Sequence, residues 1–136
     1  MSIEKQIIEL FHFNDDDTLL APFLENDEFY NNFPDYVHKD WCSLSQCKNF
    51  FNYQKNVEWI FGKPNLFSLD KILNKSFDIS YNILFILPIS RIFSTFKRVN
   101  SILEYGGIKQ IYITSEEECV VWLQKGYKGD TKIQTL

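Results

Sequence analysis

Residues 81–113 read YNILFILPISRIFSTFKRVNSILEYGGIKQIYI, and this stretch decides the fold class. Tyr81 to Leu87 is a near-continuous apolar run ended by Pro88, the pattern of a strand buried on both faces of a sheet. Ser90 stands where a helix cap is expected, and Ile92, Phe96, Val99 and Leu103 then recur at i, i+4, i+7 and i+11, which predicts one helical face buried on that sheet. Gly106-Gly107 stops the helix, and Ile108 to Ile113 reads as a second strand. Strand, helix and strand together predict a βαβ unit with parallel strands and a right-handed crossover.

Downstream, Thr114-Ser115-Glu116-Glu117-Glu118 reads as the start of a closing helix. Ser115 and Glu118 form a capping box, the acids face the positive helix end, and Cys119, Trp122 and Leu123 point inward up to Gly126. Lys132 to Leu136 is a candidate edge strand in a polar tail. Upstream, Val57 to Phe61 reads as a short strand closed by Gly62-Lys63-Pro64, with Ser68 capping a helix through Leu73. The first part reads as helices: one capped by Ser2 with Ile3, Ile7, Leu10 and Phe11 inward, one from Pro22, and one capped by Asp35 with Trp41, Leu44, Cys47 or Lys48, and Phe51 along a stripe. A length of 136 residues suits one domain. The expected class is α/β, with α+β as the alternative: a mainly helical acidic lobe over 1–56, an α/β part ending in a β-α-β-α unit over 57–124, and a polar tail over 125–136.

The stretch from Ile111 to Leu123, IYITSEEECVVWL, resembles the closing strand and helix of STAS-like domains, in which a strand leads into S-E-E-E-A-x-x-W-L. Ser115, Trp122 and Leu123 match as capping and packing residues. The resemblance covers under a third of the chain, and the first half departs from it by reading as helices where such a domain opens with strands. It implies a non-enzymatic regulator that binds proteins, with a contact surface near the helix from Ser90 to Leu103.

The composition is that of a globular protein, 45% hydrophobic and 24% charged, and it excludes collagen-like and disordered classes. Thirteen Phe, seven Tyr and three Trp exceed what a core of this size ordinarily needs, so a share is expected on a binding face. Met1 to Gln6 lacks the basic and apolar regions of a secretory signal, and Ile83 to Pro88 is roughly a third of the ~20 residues of a membrane helix. Three cysteines without a scaffold spacing fit reduced thiols, so a cytoplasmic protein is expected. Charge is divided unevenly along the chain. Residues 1–40 hold ten acids against two lysines, a net −8, and residues 41–136 a net +4. Such an acidic first part repels phosphate backbones and attracts cationic partners, so neither nucleic acid nor membrane is the expected partner.

Motifs for chemistry are sparse. Asp15-Asp16-Asp17 fails the EF-hand pattern, with Leu20 at the sixth position and Asn26 at the twelfth. His38, Cys42 and Cys47 give H-x3-C-x4-C without a fourth zinc ligand, and no cofactor is expected. His38 beside Cys42 on a helix would suit a base and a thiolate nucleophile, the one enzymatic reading left, since P-loop, nucleophile elbow and dinucleotide fingerprint are all absent. The segment from Glu25 to Tyr36 interleaves four acids with four aromatics, the composition that grips a cationic protein surface, although Phe29 and Phe33 at i and i+4 also suit a core. The expected partner-binding set is Asp15, Asp16, Asp17, Glu25, Asp27, Glu28, Tyr30, Asp35, Tyr36 and Trp41. The expected function is a non-enzymatic inhibitor of the bacterial immunity or antitoxin type, holding a basic protein such as a nuclease toxin. The same aromatic anchors also suit a homodimer.

Overall fold

A computed structural model describes residues 1–136. In chain order the elements are α1 (Ile3–Ile8), β1 (Thr18–Ala21), α2 (Phe29–Asn32), β2 (His38–Trp41), β3 (Val57–Gly62), α3 (Leu69–Ile79), β4 (Ser80–Leu87), α4 (Ile89–Ile92), α5 (Phe96–Tyr105), β5 (Gly106–Ile113), β6 (Cys119–Lys125) and β7 (Lys132–Thr135). The seven strands form one mixed sheet in the order β2-β1-β3-β4-β6-β5-β7, so the fold is α/β as expected. All neighbours pair in parallel except β6, which is antiparallel to both β4 and β5. No helix is long and apolar enough to cross a membrane.

Alternation along the strands divides the core into two layers. Ile83, Phe85 and Leu87 of β4 face the layer holding Leu69, Ile72, Ile92 and Ile102, supplied by α3, α4 and α5. Leu84 and Ile86 face the other layer, with Ile7 and Ile8 of α1 and Phe29 of α2. The aromatic excess is spent largely in that second layer. Phe61 is fully buried with its ring centroid within 6.1 Å of those of Phe11, Phe13, Phe29, Phe33 and Trp59. Phe29 and Phe33 are therefore core.

Several sequence expectations are corrected. The lobe over 1–56 is not mainly helical: α1 begins at the Ser2 cap as expected, with the Lys5 N–H donating to Ser2 Oγ at 3.2 Å, but two strands of the sheet follow. The helix expected from Pro22 is a loop until Phe29, and the one expected from Asp35 is β2 and a turn. Leu19-Leu20-Ala21 is too short a run to show a period, and β2, as an edge strand, needs no apolar alternation. Strands β4 and β5 do run in parallel, but β6 lies between them and no simple βαβ pair forms. The closing helix does not exist. Cys119 to Leu123 is apolar at both parities and so satisfies a helical and a two-face-buried strand pattern alike; its place between two strands decides for the strand. Ser115 still serves as a cap of sorts, accepting the N–H groups of Glu117 and Glu118 at 3.3 and 3.1 Å, within the turn of a β5–β6 hairpin. The helix expected from Ser90 breaks after α4 and restarts at Thr95, whose hydroxyl accepts the Arg98 N–H at 3.1 Å. The break rotates the expected stripe, leaving Phe96 and Leu103 exposed and Ile102 buried. Strand β7 forms at the edge, as its sequence suggests.

Candidate functional site

Two turns meet at the amino-terminal edge of the parallel strands. Asn14 to Asp17 leads into β1 and Asp35-Tyr36 into β2, and the strands pair from Thr18 opposite His38 onward. The His38 N–H donates to the Asp17 carbonyl at 3.0 Å, which locks the turns side by side. Asp17 is a structural residue, accepting the Asn14 N–H at 3.0 Å and the indole N–H of Trp59 at 3.3 Å. Asp15 and Asp16 are exposed, with no hydrogen bond and no ion pair from their side chains. Asp35 is reached only by Lys39 Nζ, at 3.6 Å, and the same ammonium lies 5.9 Å from the Tyr30 ring centroid. Tyr36 is 55% exposed. Asp15, Asp16, Asp17, Tyr30, Asp35 and Tyr36 thus form one acidic, aromatic corner, with Lys39 as a cation that the sequence reading did not include.

The other four expected residues lie at the opposite end of the sheet. Glu25 accepts the Ser43 hydroxyl at 2.8 Å and the Ser45 N–H at 3.2 Å. Glu28 donates its N–H to Glu4 Oε2 at 2.8 Å, and the Trp41 ring lies under Lys48 Nζ at 4.5 Å. Asp27 accepts the N–H groups of Lys63 and Phe29 at 3.0 and 3.2 Å, holding the loop after β1 to the end of β3. These are contacts within the fold, and the ten expected residues are not one surface.

Burial pushes the Asp27 carboxyl up to about 6, with the Glu4 charge adding to it and the two backbone hydrogen bonds opposing it. A carboxyl raised in the fold is held in its protonated form, so its contribution to stability is present at low pH and lost as pH rises from the ordinary carboxylate range through 6. Asp27→Asn is expected to remove a loss on the order of 2 kcal/mol between about pH 4 and about pH 7. Urea titrations of both proteins at the two pH values check this; a wild-type minus variant difference that does not change with pH would exclude it.

His38 and Cys42 do not form a pair. Four residues of strand separate them by roughly 13 Å, where a helix would have stacked them. Cys42 is fully buried, and burial followed by the Asp40 charge pushes its thiol up to about 11. Burial does the same to Cys119. Cys47 is exposed, in a tight turn at φ 57° closed by mutual backbone hydrogen bonds between Ser43 and Lys48. One of the three thiols is therefore expected to react quickly with Ellman's reagent in the native protein, and the other two only after unfolding. A native stoichiometry of two would place Cys42 or Cys119 within reach of solvent. No three His, Cys, Asp or Glu side chains converge as metal ligands do. The chain matches no protein-family model and no curated protein sequence.

Proposed function

We propose that the chain is a non-enzymatic protein-binding inhibitor, of the bacterial immunity or antitoxin type, that takes a basic partner at the acidic corner. The observation that carries this reading is the pair of adjoining turns on which Asp15, Asp16 and Asp35 stand beside the exposed Tyr36. Asp15 and Asp16, without internal partners, keep their full field for an approaching cation, and Asp35, offset in part by Lys39, adds to it, so the corner acts on the association rate. Tyr36 supplies a rigid amphipathic anchor, which acts on dissociation. Trp41, packed under Lys48 at the other end, has no part in this surface.

Affinity capture of the tagged protein at low and moderate salt, followed by mass spectrometry, should retain one basic protein at near-stoichiometric level. Reversing Asp15, Asp16 and Asp35 to lysine is expected to slow its association on the order of tenfold at low salt and to flatten the salt dependence. Unchanged rates in the triple variant would remove the corner from binding.

A STAS-like regulatory module is the second reading. Three strands precede Tyr81, the feature that such a domain calls for, whereas residues 119–123 are strand rather than the helix on which the resemblance rests.

A further inference from the structure

At the carboxyl ends of β1 and β3, away from the acidic corner, the sheet opens into a crevice. From β1 the chain first adds β2 on one side and then β3 on the other, so the strand order reverses there. Loops leaving two strands at such a reversal diverge and leave a cleft, the usual ligand position in open α/β sheets. The cavity measures about 200 Å³, with Phe23, Phe50 and Ile72 as its apolar lining and Glu25, Asn49 and Asn65 as polar lining.

The polar groups are pre-set by local structure. Asn49 and Asn65 each accept, through the side-chain carbonyl, the N–H two residues ahead, from Phe51 and Phe67, both at 2.9 Å. These turns fix both amides and leave their NH₂ groups without a partner in the chain. Glu25 uses Oε1 for Ser43 and Ser45, and Oε2 is free. Against the upward push of its slight burial, those hydrogen bonds hold the Glu25 carboxyl below its ordinary range, so it is charged at neutral pH. No lysine or arginine lines the cavity, which disfavours a phosphate or carboxylate ligand.

We propose that this crevice binds a small, planar, amine-bearing heteroaromatic of nucleobase size, its face on the phenyl rings, its ring acceptors at Asn49 and Asn65 and its amine at Glu25. The volume sets the size, since drug-sized ligands occupy about 300 Å³ and more. The donor and acceptor set selects the edge: amide NH₂ groups donate to ring nitrogens or carbonyls, and a carboxylate accepts from an exocyclic amine. Aromatic rings select the flat face. The inference rests on the crevice alone and stands whether or not a partner binds at the acidic corner.

Titration of the ¹⁵N-labelled chain with adenine, cytosine, AMP and L-phenylalanine tests it. Saturable shifts of the Asn49 and Asn65 side-chain amides are expected with adenine or cytosine, at millimolar Kd or tighter, and AMP is expected to bind no tighter than adenine. Asn49→Asp and Asn65→Asp keep a turn-forming side chain while replacing the donor, and Glu25→Gln removes the charge. Each should weaken binding about tenfold, whereas Asp35→Lys should leave it unchanged. No saturable shift with either base up to its solubility limit would overturn the proposal. So would tighter binding of AMP, preference for L-phenylalanine, or undiminished binding in the aspartate variants with a native-like spectrum.

Discussion

Phe61→Ala is expected to lower the free energy of unfolding by about 4 kcal/mol, enough to consume a large part of the stability of a small domain. The Phe61 side chain is fully buried, with Trp59 stacked at an interplanar angle of 14° and four phenylalanine rings around it. Those rings come from three places, the segment between α1 and β1 (Phe11 and Phe13), α2 and the chain after α2, so removing their common neighbour leaves a cavity that no single element can close. Urea denaturation measures the loss. Phe67→Ala is the control: Phe67 is fully exposed, and its replacement should fall within about 0.5 kcal/mol of wild type. Similar midpoints for the two variants would mean that the second core layer contributes little.

Gly106→Ala is expected to cost about 3 kcal/mol for a different reason. Gly106 joins α5 to β5 at φ 174° and ψ −100°, and the obstacle to a side chain there is the backbone beside it. A β-carbon there would lie 2.0 Å from the Gln124 carbonyl oxygen and 2.5 Å from the Gly126 nitrogen. Both are backbone atoms at the end of β6, and they yield only if the strand shifts. Gly126→Ala separates sterics from conformation. A β-carbon at Gly126 meets nothing within 4 Å, but φ is +73°, so about 1 kcal/mol of left-handed strain is expected. Thermal melts rank the two, and a Gly106→Ala protein as stable as Gly126→Ala would show that the junction has room to move.

The sequence is most legible where one pattern admits one structure. Tyr81 to Leu87 reads correctly because seven apolar-rich residues before a proline leave a buried strand as the economical reading, and the Ser2 cap and the strand from Val57 are equally local. Legibility fails where two periods coincide. Cys119 to Leu123 satisfies both helix and strand, and only the neighbours β4 and β5, distant in sequence, decide. It fails again for β2, whose polar residues carry no period because one edge is unpaired. The candidate site is half legible. The carboxylates before β1 and β2 meet because those strands pair, whereas Glu25, Asp27 and Glu28 are drawn to the other end by hydrogen bonds to Ser43, Ser45, Lys63 and Glu4. Asn49 and Asn65 each stand two residues before a phenylalanine and read locally as turn formers. Their shared crevice depends on the order of the strands, which no local pattern encodes.

The antiparallel strand between β4 and β5 has a further meaning for how the chain is made. Synthesis runs from the amino terminus, at about 5–20 residues per second, and the strand that joins the two parts of the sheet, residues 119–125, is made after both of the strands it joins. Until those residues leave the ribosome, β4 has an open edge and β5 has no strand to bridge it to the rest. A nascent chain cut at Glu118 therefore leaves the facing edges of β4 and β5 unjoined and sticky, and the two parts of the sheet become one only once β6 has emerged.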